Sequence, residues 1–210
     1  MQTISYSLKG LILISAHPDH RLVITGHSLG AGTAILITMA ILSGNFKQIV
    51  DPKHTQIKCI ALAPPPVYRS ANLKSSKFNE NINIFVNGND CVPRLSLANM
   101  AKLLATLRAI DKISISVQDT LKILAGREES EVNANLNQLA ETISKVEQKQ
   151  FPQLQHPGKV FYLRRINSKE FGVFSTPGEF FSSSLLLFEN MALDHLQPYY
   201  EEAFANVKLK

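Results

Sequence analysis

The stretch VITGHSLGAGTA, residues 23–34, constrains this chain more than any other. An apolar run leads into Gly26-His27-Ser28-Leu29-Gly30, and an apolar run of helical length, LGAGTAILITMAIL, leaves it. A strand that turns directly into a helix forces its corner residue into strained backbone angles and crowds its neighbours, so the flanking positions must be almost without side chains. Gly26 and Gly30 meet that need, and Gly32 and Ala34 let the helix approach a sheet. Ser28 then stands at the carboxyl end of a strand with a helix N-terminus behind it. Free N–H groups and the positive end of the helix dipole favour a developing oxyanion there, with the Leu29 N–H as the nearest donor. A structural glycine turn can carry the same pentapeptide. The strand before it and the buried helix after it select the nucleophile reading.

The rest of the chain supplies the sheet that such a corner needs. Residues 3–15 carry apolar positions at helical spacing before His17-Pro18-Asp19. Short apolar strands are predicted over 21–25, 57–63 and 82–86, each closed by Gly, Pro or Asn, and a fourth over 159–166, with FGVF (171–174) as its hairpin partner. Helix alternating with such strands is the grammar of a parallel sheet. Residues 97–124 read as helical, and 126–150 as a charged helix with one seam of Val132, Leu136, Leu139, Ile143 and Val146. A last helix begins near Pro198, which suits a first helical turn. The fold class predicted is α/β: a partial, mostly parallel sheet of about four strands flanked by helices, in one domain over 1–210.

With 45% apolar and 19% charged residues, the chain can bury one sizeable core. Its net charge of +5 is scattered, with no run longer than Arg164-Arg165, which excludes a nucleic-acid stripe. Cys59 and Cys91 lack metal-ligand spacing and read as free thiols. The N-terminal apolar run is too short to span a bilayer and lacks signal-peptide flanks, so a cytoplasmic or peripheral membrane location is expected.

A serine hydroxyl needs a base to take its proton and an acid to orient that base. In strand–turn–helix serine hydrolases the order along the chain is Ser, acid, His. Asp90, in the loop after the third strand, and His195, in the loop before the last helix, fill those places. The rival acids are Asp51, Asp111 and Asp194, the last placed to cap the final helix. Among the other histidines, His27 lies inside the corner, His17 and His20 precede it, and His54 and His156 lie in loops as surface or capping residues.

Together, VITGHSLGAGTA, CIALAPPPVY, FVNGNDCVPRLSLANM, HPGKVFYL and MALDHLQPYYEEAF resemble the class 3 lipases of the α/β-hydrolase fold, nearest the sn-1-specific diacylglycerol lipases. By position, the resemblance implies Ser28 as nucleophile, Asp90 as acid and His195 as base, with no metal or organic cofactor. It also implies a lipid ester substrate at a peripheral membrane or lipid-droplet surface. Members of the family carry a long segment before the corner, with further strands, a lid and the loop giving the second oxyanion donor. Here the corner serine is residue 28, so that part of the domain is expected to be absent and its face open to a partner. The alternative is an impaired remnant that acts as a binding module, or one part of a split or longer lipase.

Overall fold

The computed structural model describes residues 20–47, 50, 56–69, 76–110, 137, 141, 152–182, 185 and 188–208. Two compact units partition the chain, one of 1–96 with 153–210 and one of 97–152. In the second, the described residues form helix α3 (Leu97–Ile110), and Asn137 and Glu141 are also helical. The helix expected over 3–15 and the charged seam from Val132 to Val146 lie outside the described residues.

The first unit is built on a five-stranded sheet in the order β1 (Leu22–His27), β2 (Ile57–Leu62), β3 (Ile82–Asn87), β4 (Lys159–Asn167), β5 (Glu170–Thr176). The first four strands are parallel, with Gly26 beside Ala61 and Ala61 beside Ile84. β5 runs antiparallel to β4 through a tight turn, so the weak FGVF signal is a full strand and the sheet has one more than the expected four. Its alternation is blurred because only Phe171 and Gly172 of β5 are buried.

Side chains alternate across the strands and give the sheet two unlike faces. Cys59, Ala61, Ile82, Ile84, Val86 and Val160 point to one side, where α1 (Leu29–Leu42) covers them with Ala31, Ala34, Ile35 and Met39 and α2 (Ser76–Asn81) adds Phe78. Small residues at Ala31 and Ala34 bring α1 close to the strands. The helix is not enclosed as its composition predicts: Leu29, Leu36 and Ile37 stand exposed because the sheet covers only one side of it. On the other face α5 (Gln197–Ala205), which follows the short α4 (Glu179–Ser182), sets Tyr200 and Ala203 against Leu163 and Phe171, with Leu62 and Phe85 packed alongside. Val23 and Ile60 on that same face are exposed, since α5 reaches only the β3–β5 half.

Candidate active site

β1 ends at His27 and α1 begins at Leu29, which leaves one residue to make the turn. Ser28 does so at φ 57°, ψ −126°, a region costly for any side chain and tolerated where the surroundings hold it. Its N–H donates to the Leu62 carbonyl (2.9 Å), and its own carbonyl accepts from Ala31 and Gly32 (3.0 and 3.1 Å). A Cβ on Gly26 would lie 2.4 Å from the Gly30 carbonyl oxygen, so the corner closes only with glycine at 26. A Cβ on Gly30 would meet nothing within 4 Å. The expectation that both glycines are sterically required is therefore corrected: one is. Gly32 faces the Pro65 and Val67 side chains of the loop after β2, not the sheet.

The Ser28 hydroxyl lies 2.9 Å from His195 Nε2, and His195 Nδ1 lies 3.1 and 3.2 Å from the two carboxylate oxygens of Asp90. A carboxylate only accepts, so Nδ1 carries the hydrogen and Nε2 presents its lone pair to Ser28. Asp90 is fully buried and satisfied on every side: Oδ1 accepts the Val92 N–H (2.9 Å) and Oδ2 the Tyr200 hydroxyl (2.8 Å). Burial pushes its carboxyl above the ordinary 3.8, and these donors together with His195 pull it back. The Leu29 N–H opens α1 and has no acceptor within the helix. Within the loop after β2, Pro64, Pro65 and Pro66 have no N–H to offer as a second donor.

The roles of several neighbours of this arrangement were not read from the sequence. Tyr200 donates to Asp90 and accepts the Asn87 N–H (3.0 Å). Burial first, then the Asp90 charge, hold its phenol well above the usual 10. His27 donates through Nε2 to the His195 carbonyl (2.9 Å), with the two rings 4.8 Å apart. Strand alternation was the available signal, because His27 shares a face with Leu62 and Phe85, where α5 packs. Asp194 does not cap the last helix. Its Oδ2 accepts the Asn89 N–H (2.7 Å) and its carbonyl the Asn87 amide (3.2 Å), which ties the His195 loop to the Asp90 loop. The helix begins at Gln197, and Leu196 at the N-cap supplies no side-chain cap.

His156 is also corrected: it is buried, Nε2 donating to the Pro93 carbonyl at 2.7 Å, and desolvation lowers its pKa to about 4. His20 is exposed, while His17, His54, Asp51 and Asp111 lie outside the described residues. Among the described residues no group of three His, Cys, Asp or Glu side chains could hold a metal ion, and no helix is long and apolar enough to cross a membrane.

The family described as Lipase (class 3) matches residues 2–100, which carry both the Ser28 corner and the Asp90 loop. The chain is related to the class 3 lipases. Diacylglycerol lipase-beta of Mus musculus is 32% identical over 89 residues, 42% of this chain and 12% of that protein. Diacylglycerol lipase-alpha of Homo sapiens is 30% identical over 106 residues, 50% of this chain and 9% of that protein. The similarity thus spans a small part of these much longer relatives. The lipase from Rhizopus microsporus var. chinensis aligns with a TM-score of 0.49 at 17% identity, over 91% of this chain and 48% of that one. A mutant form of MDLA from Penicillium cyclopium aligns with a TM-score of 0.46 at 17% identity, over 91% and 51%. The sheet and its flanking helices are consistent with a partial α/β-hydrolase arrangement.

Proposed function

We propose that this chain is a serine hydrolase that cleaves carboxylic esters of glycerolipids, of the diacylglycerol or triacylglycerol type, through an acyl-enzyme. The observation that carries the reading is the unbroken series of hydrogen bonds from Asp90 through His195 to Ser28. Ser28 Oγ attacks the acyl carbon while its proton passes to His195 Nε2, and the Leu29 N–H takes the oxyanion. Collapse expels the alcohol, which leaves with the proton from His195. Water, deprotonated by the same nitrogen, then attacks the acyl-serine and releases the fatty acid. Asp90 stabilises the imidazolium and fixes its tautomer without itself accepting the proton.

A lipid substrate is supported by the rim. Leu29 is 76% exposed, and Leu193 and Leu196, on either side of His195, are each 47% exposed, an apolar approach suited to a membrane or lipid-droplet surface. The chain serves the reaction as one α/β-hydrolase domain with residues 97–152 inserted between β3 and β4. A fluorophosphonate probe labels the wild type and leaves Ser28→Ala and His195→Ala unlabelled; equal labelling of all three removes the proposal.

A second reading is favoured by Pro64-Pro65-Pro66, which offer no N–H as a second oxyanion donor: the chain keeps the three side chains as a weak remnant or as one part of a larger lipase. Loss of one donor typically lowers turnover by about 10²–10³-fold. Turnover of a short-chain ester at an ordinary lipase rate by the purified chain, abolished by Ser28→Ala, decides against it.

A further inference from the structure

Asp90 leaves β3 through a tight turn, Asn87-Gly88-Asn89-Asp90, closed by the Asp90 N–H on the Asn87 carbonyl (3.0 Å). Gly88 stands in that turn at φ 46°, left-handed backbone that glycine adopts without strain. The turn is seated on the residue before His195. Its Asn89 N–H donates to Asp194 Oδ2 at 2.7 Å, shorter than the 3.1 and 3.2 Å between His195 Nδ1 and the Asp90 carboxylate. The two bonds are neighbours along the chain, because Asn89 precedes Asp90 and Asp194 precedes His195.

Glycine at 88 answers to the same carboxylate. A Cβ there would lie 2.5 Å from Asp194 Oδ2 and 3.0 Å from its Cγ, and the three atoms nearest to it all belong to that carboxyl group. The Asp194 side chain therefore fills the place a side chain on residue 88 would take. Longer bonds accompany it: the Asn87 amide to the Asp194 carbonyl (3.2 Å), the Asn89 amide to Asn190 Oδ1 (3.3 Å) and the Cys91 N–H to the Met191 carbonyl (3.4 Å). Of these, only the Asn89 N–H bond to Asp194 has a carboxylate acceptor, and such bonds are about twice as strong as neutral ones.

We infer that Asp194 is a positioning residue for the proposed reaction: by holding the Asn89 N–H it seats the turn that carries Asp90 against the loop that carries His195, and residue 88 is glycine to admit it. Misplacing a reacting group by about 1 Å can cost about 10²-fold in rate, so a seat of this kind is read in the rate and not in substrate affinity. The effect on rate rests on the proposed function. The seating of the imidazole does not, and its Nδ1–H is observed without turnover.

The test compares the full wild-type chain with Asp194→Ala, Asp194→Asn, Gly88→Ala and the Gly88→Ala/Asp194→Ala double variant. Fluorophosphonate labelling is followed over a range of probe concentrations. NMR follows the downfield proton resonance of the His195 Nδ1–H bonded to Asp90, assigned by its absence in His195→Ala. In Asp194→Ala, labelling at saturating probe slows about tenfold with the half-saturating concentration unchanged, and the resonance weakens or moves. Asp194→Asn keeps an acceptor oxygen and returns labelling to within about threefold of the wild type. Gly88→Ala pushes the carboxylate off the Asn89 N–H and slows labelling in the same way, while the double variant is no slower than Gly88→Ala, since the pair has one interaction to lose. Labelling and resonance like the wild type in Asp194→Ala overturn the inference. So do an effect confined to the half-saturating concentration, an Asp194→Asn that falls as far as Asp194→Ala, or losses that multiply in the double variant. A wild type that shows the resonance but takes no label removes the hydrolase reading alone. The resonance in Asp194→Ala then decides, its loss supporting the seat and its persistence unchanged overturning it.

Discussion

Tyr200 donates its phenolic hydrogen to Asp90 Oδ2 across 2.8 Å, in a setting where both side chains are almost completely buried. The same oxygen of Tyr200 accepts the Asn87 N–H, so one hydroxyl joins the last helix to the end of β3 and to the carboxylate that faces His195. Tyr200→Phe strands the Asn87 N–H and removes one of the donors that restrain the Asp90 pKa, which therefore rises further. The expected loss is about 1–3 kcal/mol of stability, read by urea unfolding. Fluorophosphonate labelling slows in parallel. A variant as stable and as reactive as the wild type would mean that the bond contributes nothing.

His27 holds the carbonyl of His195 rather than its ring nitrogens. His27→Phe keeps an aromatic ring against His195 and removes only the donated hydrogen bond. Under the proposed function, turnover falls about 3- to 10-fold with KM little changed, as expected for one neutral hydrogen bond that orients the proposed base. An effect confined to KM would instead place His27 in substrate binding.

The two glycines of the corner respond in opposite ways. Gly26→Ala drives a Cβ into the Gly30 carbonyl, with backbone on both sides unable to yield, and costs about 1–3 kcal/mol together with probe labelling of Ser28. Gly30→Ala enters open space inside α1 and is neutral or stabilises by up to about 1 kcal/mol through helix propensity. Thermal unfolding of the pair separates them. Equal destabilisation would contradict the geometry of the turn.

His156 makes the fold acid-sensitive. Its pKa falls from 6.5 to about 4 on folding, so the unfolded chain takes up a proton first as pH drops. The stabilisation is complete above pH 6.5, declines as pH falls from there through about 4, and amounts to roughly 3 kcal/mol. Burial raises Asp90 and Asp194, which slope the other way, so the contribution is isolated by comparing the wild type with His156→Gln over pH 4–7. The variant is expected to lose that part of the pH dependence. Parallel curves for the two proteins would assign the acid sensitivity elsewhere.

By itself, the amino-acid sequence determined the local features. The strand–turn–helix corner was legible because glycine, hydroxyl and apolar periodicity all lie within a dozen residues, and the parallel sense of the sheet followed from helices alternating with short apolar runs. Asp90 and His195 could be named because the first follows a strand-ending signal and the second precedes a helix-starting one. The tertiary structure alone decided what surrounds them. The bond from His27 to His195 spans 168 residues and that from Tyr200 to Asp90 spans 110, and both depend on which sheet face α5 covers. Local pattern carries no information about that choice, which is set by the packing of Tyr200 and Ala203 against Leu163 and Phe171. For the same reason Asp194 reads as a helix cap in one dimension and is a clamp on Asn89 in three. His156 likewise reads as a turn residue until the Pro93 carbonyl closes over it.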